Sequence, residues 1–496
     1  MTTAEHRDPV ELRTSAGARG LWQRFAPRHP AVEQPAEQDG RSAQTKVWRL
    51  GEALSRMIGE SRWRLELWDG RIYQPHSDPT FTVRVLSRGA LDRLLAFPPD
   101  RGFGRAYAEG SLEIEPLEEF LSRAGNATPR QLLAATPLVL AAAVALGARP
   151  NLRPLREGEA RLRGRRHSQE RDSAAVRFHY DVSPDFYALW LDRTMTYSCA
   201  YFRDASDDID TAQRAKLDLV CTKLRLQPGE RFLDIGSGWG SLVIHAAQQY
   251  GVEGTGITLS PPQVETARRR AEEQGVGEQT RFSVTDYRSP GPQYDAIASV
   301  GMVEHVGRPL IEEYARSVAR SLRPGGRALI HGITQPVTQL QRSPFIDAFV
   351  FPDGELVDVG FLVAQLERAG LEVRDVESLR EHYALTLDRW SRRLDARYDE
   401  AVSIAGSERT RIWRVYMASA ADGFRRGSFG IHQILVVKPT SQGASRLPLT
   451  RADWYRSTAT VPDGQARRRR RAEGPAGDGK RPRAGRRRPA GVGSEA

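Results

Sequence analysis

The sequence predicts a doubly wound α/β fold for its central part, on three observations. From about residue 174 onward, short apolar runs alternate with longer segments of helical periodicity. The first run ends in a glycine-rich turn, Gly236–Gly240, and a second turn, Pro324–Gly326, precedes the last run. This alternation is typical of a parallel sheet whose strands are joined by helices.

The elements of this domain can be assigned in chain order. The apolar runs predict strands at Arg231–Ile235, Gly254–Leu259, Thr280–Thr285, Tyr294–Val300 and Arg327–Ile333. The segments between them predict helices at Ser241–Tyr250, Gln263–Gln274 and Leu310–Leu322. No internal repeat is visible.

A small α+β domain is predicted at residues 46–148. The runs Trp63–Trp68 and Thr80–Leu86 have strand character, and Asp69-Gly70 is a turn signal. The apolar stretch Leu132–Ala148 is too short and too rich in alanine to favour a membrane span, and Pro137 interrupts it. We expect a buried or surface-lying helix there, with possible contact to lipid.

The remaining segments are polar or basic. We expect disorder in residues 1–45, an exposed basic linker at 149–173, and a C-terminal segment at 441–496 with a disordered tail. Residues 465–496 hold eleven basic and three acidic residues, so they carry +8 of the net charge of +11. Such a tail is a solvated arm, an attachment to anionic lipid, or a nucleic-acid contact, and composition leaves these three open.

Cysteine usage and the N-terminal composition bear on the compartment. Cys199 and Cys221 are the two cysteines of the chain, which excludes a disulfide framework and is compatible with a reducing cytoplasm. The N-terminus shows no apolar segment typical of a secretory signal. We therefore expect a cytoplasmic protein.

The turn after the first strand indicates a cofactor site. Gly236, Gly238 and Gly240 let a ligand approach the backbone closely, because glycine has no Cβ. Their spacing differs from that of a dinucleotide or phosphate-binding loop, although a generic turn or a nucleotide site stays open. S-adenosylmethionine, which has no phosphate, fits better. Asp234 could accept hydrogen bonds from its ammonium group, and Asp286 from its adenine amino group.

From about His179 to Val437 the chain resembles the cyclopropane-fatty-acyl-phospholipid synthase family, which includes the mycolic acid cyclopropane synthases. The most specific matching segments are Thr196–Phe202, with the letters TYSCAYF, and Gly301–Gly307, with the letters GMVEHVG. Further matches are His179–Asp181, Leu233–Gly240, Thr258–Ser260 with Gln263, Asp286–Arg288, His331–Ile333, Phe351–Gly354, Glu381–Tyr383, Thr386–Trp390 and Gly423–Arg425.

The resemblance implies a Rossmann-like methyltransferase domain at 174–440 with a lipid-binding insertion at about 335–400. It implies an S-adenosylmethionine site that is lined by Tyr197, Ser198, Gly236, Gly238, Thr258, Gln263, Tyr287 and Arg288. It also implies a bicarbonate ion held by Glu304, His331 and Tyr383, with help from the backbones of Cys199 and Ile333. No metal is expected. Each of these side chains also has a purely structural alternative, such as a helix cap, a core histidine, a packing aromatic or a plain buried thiol.

The implied reaction is methylene transfer to the cis double bond of an unsaturated acyl chain in a membrane phospholipid. Methyl transfer leaves a carbocation on the chain, and bicarbonate takes the proton so that a cyclopropane ring closes. Aromatic faces can stabilise such a cation, and Tyr201, Phe202, Phe345, Phe349 and Tyr383 are candidates. The family resemblance further suggests peripheral association with an anionic membrane surface, and a homodimer is possible.

Three alternatives remain open. Loss of a different proton from the same cation would give a methylene-branched chain. A nucleic-acid methyltransferase could use the basic tail, but the sequence has no stacking platform interleaved with basic residues, so we expect no nucleic-acid partner. A catalytically silent lipid-binding module is the third. One position and one segment depart from the family pattern: Ala420 stands where many members have a cysteine, and Phe351–Asp358 differs from the usual sequence.

Overall fold

The computed structural model describes residues 37–95, 99–149, 159–160, 162–180, 182–289, 291–339 and 343–455. Predictions that concern residues 1–36 and 456–496 therefore lie outside the described residues. Within unit one, which ends at Arg446, the N-terminal domain and the larger α/β domain form one compact body, whereas the described residues from Leu447 to Tyr455 belong to a second unit.

The N-terminal domain is built from a small sheet and five helices. Its elements are α1 Glu37–Ile58, β1 Trp63–Leu67, β2 Ile72–Tyr73, β3 Phe81–Val85, α2 Arg88–Leu94, α3 Pro99–Ala108, β4 Leu112–Glu115, α4 Leu117–Gly125 and α5 Pro129–Ala145. The strand order is β2-β1-β3-β4, in which β1 and β3 are parallel and the other pairs antiparallel. Alternate residues of β1 and β3 are buried, and the rings of Trp63 and Phe81 stack at 5.7 Å.

The helix α5 lies at the surface with much of its apolar side exposed. A capping box formed by Thr128 and Gln131 fixes its start. Leu133 is 81% exposed and Val144 is 51% exposed. Among the described helices none is by itself long and apolar enough to cross a membrane, and α4 and α5 meet that test only as a pair bent by 111°.

The larger domain contains a seven-stranded sheet of order β10-β11-β9-β8-β5-β6-β7. Its elements are α6 Gln169–Tyr180, α7 Pro184–Ala188, α8 Ile209–Lys223, β5 Arg231–Ile235, α9 Ser241–Tyr250, β6 Glu253–Thr258, α10 Pro261–Glu273, β7 Thr280–Val284, β8 Tyr294–Val300, α11 Ile311–Ser321, β9 Leu322–Thr334, α12 Pro344–Phe349, α13 Val359–Arg368, β10 Glu372–Ser378, α14 Arg380–Ala396, α15 Tyr398–Ala405, α16 Ser407–Arg425 and β11 Gly430–Val437. Only β11 runs antiparallel to its neighbours, β9 and β10. The predicted Rossmann-like α/β class is confirmed.

The structure corrects three predicted boundaries. Helix α1 begins at Glu37, inside the segment 1–45 that we expected to be disordered, because it packs against β2 and α5. Helix α6 begins at Gln169, inside the predicted linker 149–173. The predicted lipid-binding insertion at 335–400 is not one insertion, because β10 within it is an edge strand of the main sheet.

Two separate segments instead form a cap beside the sheet. The first lies between β9 and α13 and contains α12, and the second consists of α14, α15 and α16, between β10 and β11. Helix α16 packs against α3 and α4 of the N-terminal domain. Arg411 of α16 donates hydrogen bonds to the backbone oxygens of Tyr107 and Leu112, and Arg105 of α3 pairs with Glu408 at 2.6 Å. The cap therefore joins the two domains.

Candidate active site

The glycine turn after β5 adopts a backbone that only glycine tolerates well. Gly236, Gly238 and Gly240 have φ values of +83°, +52° and +83°. A Cβ on Gly240 would lie 2.9 Å from the Cβ of Ala267, whereas a Cβ on Gly238 would meet no atom within 4 Å. Gly240 is therefore required by packing, and Gly238 leaves open space where a ligand can approach.

Polar atoms without partners collect at the carboxyl ends of β5 and β7. Asp234 Oδ1 is buried and has no hydrogen-bond partner, and the same holds for Asp286 Oδ2 and the Tyr287 hydroxyl. Burial raises the pKa of Asp234 to about 7. Asp286 Oδ1 accepts from Arg288 Nε at 2.8 Å, so its second oxygen is the one left for a ligand.

The other predicted cofactor residues lie at the same edge of the sheet. Thr258 ends β6, and its hydroxyl donates to Gln263 Oε1 at 2.7 Å. Arg288 bridges to Asp172 of α6 at 2.9 Å and lies over the ring of Tyr287 at 5.0 Å. Carboxyl ends of parallel strands are where open α/β sheets bind ligands. Unpaired acceptors and an open glycine turn fit the ammonium and adenine groups of S-adenosylmethionine.

A cavity of about 720 Å³ lies next to this edge, between the sheet, the cap and the N-terminal domain. It brings together all residues predicted for catalysis and two predicted for the cofactor: Cys199, Glu304, His331, Ile333, Tyr383, Tyr197 and Ser198. The rest of the wall is largely apolar or aromatic and includes Phe345, Phe351 and Phe424. A largely apolar wall binds water weakly, so water competes poorly with an apolar ligand in this cavity.

Glu304 is a half-buried residue of a short 3-10 helix, Val303–His305, and its carboxyl oxygen Oε2 is buried. Its Oε1 accepts from the backbone N–H of Ile333 at 2.6 Å, and its Oε2 has no partner. Burial raises the pKa of Glu304 to about 7. The backbone of Ile333 thus holds Glu304, rather than presenting a free N–H to an anion.

His331 lies on β9 in the same wall and is 1% exposed. Its Nδ1 lies 3.1 Å from Gln433 Nε2 on the neighbouring strand β11, which donates to it. The ring proton then resides on Nε2, and this donor has no partner. Burial lowers the pKa of His331, so the ring is neutral near pH 7.

Cys199 and Tyr383 are held by packing. The Cys199 thiol donates to the Ala200 carbonyl oxygen at 3.3 Å, and burial raises its pKa, so it is a neutral thiol rather than a nucleophile. The Tyr383 ring is buried against Phe424 at 4.7 Å and Trp390 at 6.2 Å.

Helix α8 supports the segment that carries Tyr197 and Ser198. Gln213 Nε2 donates to the backbone oxygens of Thr196 at 3.3 Å and Ser198 at 2.7 Å. One turn further, Lys216 Nζ donates to Ser198 Oγ at 2.7 Å. The segment therefore lies between the cofactor edge and the cavity, and hydrogen bonds from Gln213 and Lys216 of α8 fix its position.

Several residues of the cavity wall were not predicted from the sequence. The N-terminal domain contributes Asp100, Phe103 and Leu121 to the cavity wall, and the cap contributes Tyr416. Of the five aromatic residues proposed to stabilise a cation, the wall includes Phe345 and Tyr383; Tyr201, Phe202 and Phe349 are not among its lining residues. No local pattern marks Phe103 or Leu121, because their role arises from packing between domains.

The fold and the site define a class: the chain is an S-adenosylmethionine-dependent methyltransferase. Residues 167–434 match the family described as Mycolic acid cyclopropane synthetase. The chain belongs to this family. Membership supports an activity that transfers one carbon from S-adenosylmethionine to unsaturated fatty acyl chains.

Individual relatives agree with this assignment. A "Probable fatty acid methyltransferase" from Pseudomonas putida is 38% identical over 401 residues, covering 79% of this chain and 96% of the relative. The "Cyclopropane-fatty-acyl-phospholipid synthase" of Escherichia coli K12 is 33% identical over 370 residues, covering 74% and 88%. The solved structure of mycolic acid cyclopropane synthase CmaA1 with SAH and CTAB aligns with a TM-score of 0.51 and 32% identity, covering 53% of this chain and 97% of that one.

Proposed function

We propose that this enzyme forms cyclopropane rings on unsaturated acyl chains of membrane phospholipids, with S-adenosylmethionine as the carbon donor and bicarbonate as the base. The observation that carries the proposal is the pair of unpartnered polar atoms, Glu304 Oε2 and His331 Nε2, in the wall of an otherwise largely apolar cavity. A buried polar atom without a partner costs about 1–3 kcal/mol, so a guest that bonds to both is favoured.

The cavity provides what an alkene substrate requires. An alkene is a weak nucleophile, and methyl transfer to it leaves a carbocation that water would trap. When bound, S-adenosylmethionine supplies a methyl group on a sulfonium. The apolar wall keeps water from the acyl chain, and the rings of Phe351, Tyr416 and Phe424 offer faces that attract a cation.

The residues present also fit a small anionic base. His331 offers an N–H donor, and Glu304 in its protonated form offers an O–H donor. Tyr383 lies in the same wall and would complete the set. Bicarbonate bound there supplies a proton acceptor near the cation without a covalent tether. In this arrangement Ile333 acts through Glu304, whose carboxyl group its N–H orients.

A second product is compatible with the same residues. If a proton leaves a different carbon, the chain gains a methylene branch instead of a ring. Both products have the same mass. Proton NMR separates them, because ring protons lie upfield and vinylidene protons lie downfield.

The N-terminal domain supports action at a membrane surface. The exposed apolar side of α5 includes Leu133 and Val144, and Arg130 and Arg149 stand near its two ends. Leucine-rich surface flanked by arginines suits anionic lipid. Helix α4, which precedes α5, contributes Leu121 to the cavity wall. These features support our proposal that the protein associates peripherally with the inner face of the membrane, and a homodimer stays a prediction.

The central experiment incubates the protein with methyl-labelled S-adenosylmethionine and vesicles of dioleoyl phosphatidylglycerol, followed by NMR of the extracted lipid. We expect label in upfield ring protons. Label in vinylidene protons would select the branched product, and no label in lipid would refute the proposal. Adding and removing bicarbonate in CO₂-free buffer tests the base, and a rate that does not respond would exclude bicarbonate.

A further inference from the structure

The helix α8 carries a buried lysine that the proposed reaction does not use. Lys216 is 2% exposed, and its Nζ donates to Ser198 Oγ at 2.7 Å. Among the described residues no carboxylate lies within ion-pair distance of Nζ, since the ion pairs they form do not include Lys216. A buried ammonium without a contacting anion is costly, so its retention calls for a physical reason.

The nearest acidic groups do not neutralise it directly. Asp192 and Asp234 act on Lys216 through their fields. Asp192 uses both oxygens within its own loop, accepting from the N–H groups of Thr196 and Thr194 at 2.8 Å each. Asp234 Oδ1 has no partner. Lys216 thus contacts Ser198, which is expected to line the S-adenosylmethionine site, and lies near Asp234, which is expected to accept from the ammonium group of that cofactor.

The hydrogen bond to Ser198 has a directional consequence. An ammonium group has donors only, so the Ser198 oxygen must accept from it. The hydroxyl proton of Ser198 is then free to be donated to another group, and Ser198 lies in the cavity wall. A hydroxyl polarised by a neighbouring cation is a strong donor, and its best acceptor is an anion.

We propose that Lys216 is a positioning residue that makes Ser198 donate to the α-carboxylate of S-adenosylmethionine, while Asp234 accepts from the α-ammonium group. This inference rests on the proposed cofactor site. It assigns to Lys216 the recognition of one functional group, the carboxylate, rather than general support of the fold.

The test compares two ligands that differ only in that group: S-adenosylhomocysteine and its decarboxylated form. Calorimetry gives their dissociation constants for wild type, Lys216→Met and Ser198→Ala. A hydrogen bond to a charged group is worth about 1.5–3 kcal/mol, which corresponds to about 10- to 100-fold in affinity. We expect both variants to bind S-adenosylhomocysteine at least tenfold more weakly and the decarboxylated ligand within about threefold of wild type. In steady-state kinetics KM for S-adenosylmethionine should rise more than kcat falls.

Lys223→Met is the matched control. Lys223 lies on the same helix, is also 2% exposed, and pairs with Asp375 and Glu377 instead of Ser198. Lys223→Met should lower the free energy of unfolding without changing the preference between S-adenosylhomocysteine and its decarboxylated form. If Lys216→Met does not fold, Ser198→Ala still tests whether the hydroxyl that Lys216 contacts recognises the carboxylate, and an unchanged preference between the two ligands in that variant would refute the proposal.

Two outcomes are distinguishable as failures. If wild type binds neither ligand, the proposed cofactor site is wrong. If wild type binds S-adenosylhomocysteine but the variants lose affinity for both ligands equally, or for neither, the role of Lys216 in carboxylate recognition is refuted while the cofactor site stands.

Discussion

Replacing Glu304 with glutamine should make the protein more stable at alkaline pH while it removes most of the activity. Glutamine keeps the oxygen that accepts the Ile333 N–H, but it carries no charge that burial can penalise. Wild type must instead hold a carboxyl group whose ionised form is disfavoured in a dry cavity. Function and stability therefore make opposite demands on this position.

The magnitude follows from the pKa of Glu304, which burial raises from 4.5 to about 7. Because the folded pKa is the higher one, the stability that this group contributes is fully present below about pH 4.5 and is lost as the pH rises to about 7. At about 1.4 kcal/mol per pH unit, this interval corresponds to about 3 kcal/mol. E304Q has no carboxyl group to ionise, so its free energy of unfolding should exceed that of wild type by about 3 kcal/mol at pH 8 and by about 1 kcal/mol at pH 5.

The assay is urea unfolding of both proteins without cofactor at pH 5, 6, 7 and 8. Glu312, which is 46% exposed on α11, provides the control, and E312Q should follow wild type throughout. Activity of E304Q on oleoyl phospholipid vesicles should fall about 100-fold, the usual effect of removing one group that binds a reacting species. A stability difference that is constant with pH, or a less stable E304Q at pH 8, would show that Glu304 is not a desolvated carboxyl group.

Three further predictions concern the turn, the membrane and the cavity. Gly240→Ala should lower the free energy of unfolding by about 2–4 kcal/mol through clash and strain, whereas Gly238→Ala should lower it by only about 1 kcal/mol and should weaken S-adenosylhomocysteine binding. Thermal unfolding measures the first effect and calorimetry the second. Equal losses of stability in the two variants would contradict the assignment of the two glycines. Leu133→Asp should abolish flotation with anionic oleoyl vesicles, whereas Val376→Asp, at an exposed position on β10, should not; flotation of both variants like wild type would exclude α5 as the membrane contact. Leu121→Trp should shift the products toward shorter acyl chains in gas chromatography and leave S-adenosylhomocysteine binding unchanged, and an unaltered chain distribution would remove Leu121 from the acyl-binding wall.

Local sequence signals were sufficient for the five parallel strands β5 to β9 of the sheet, but not for β10 and β11. Helix Ser241–Tyr250 and strand Tyr294–Val300 have the predicted bounds, because glycine turns and fully apolar runs mark their ends. Strand β9 begins earlier than predicted, at Leu322, but its continuous pairing with β8 starts only at Arg327, after Gly325 at φ +79°. The predicted turn is therefore present within the strand.

The cap and the cavity wall depended on contacts between distant parts of the chain. The family resemblance suggested one insertion at 335–400, yet it could not separate β10, which pairs with β11, from α12 and α14 beside it. Lys216 likewise resembles any lysine of an amphipathic helix. Its burial follows from the position of Ser198 above α8, which no pattern in the helix itself encodes.

We propose that the N-terminal domain has a role distinct from the chemistry. The family match begins at residue 167, so the residues predicted to bind the cofactor, together with Glu304 and His331, belong to the larger domain alone. What the N-terminal domain adds is part of the cavity wall, through Leu121 of α4, and an apolar surface on α5 directly after it. Helices α4 and α5 meet at a sharp bend, so one of them can lie along a membrane while the other borders the cavity. A domain built in this way would bring a lipid chain to a catalytic site that is otherwise complete, and Leu133→Asp and Leu121→Trp separate its two contributions.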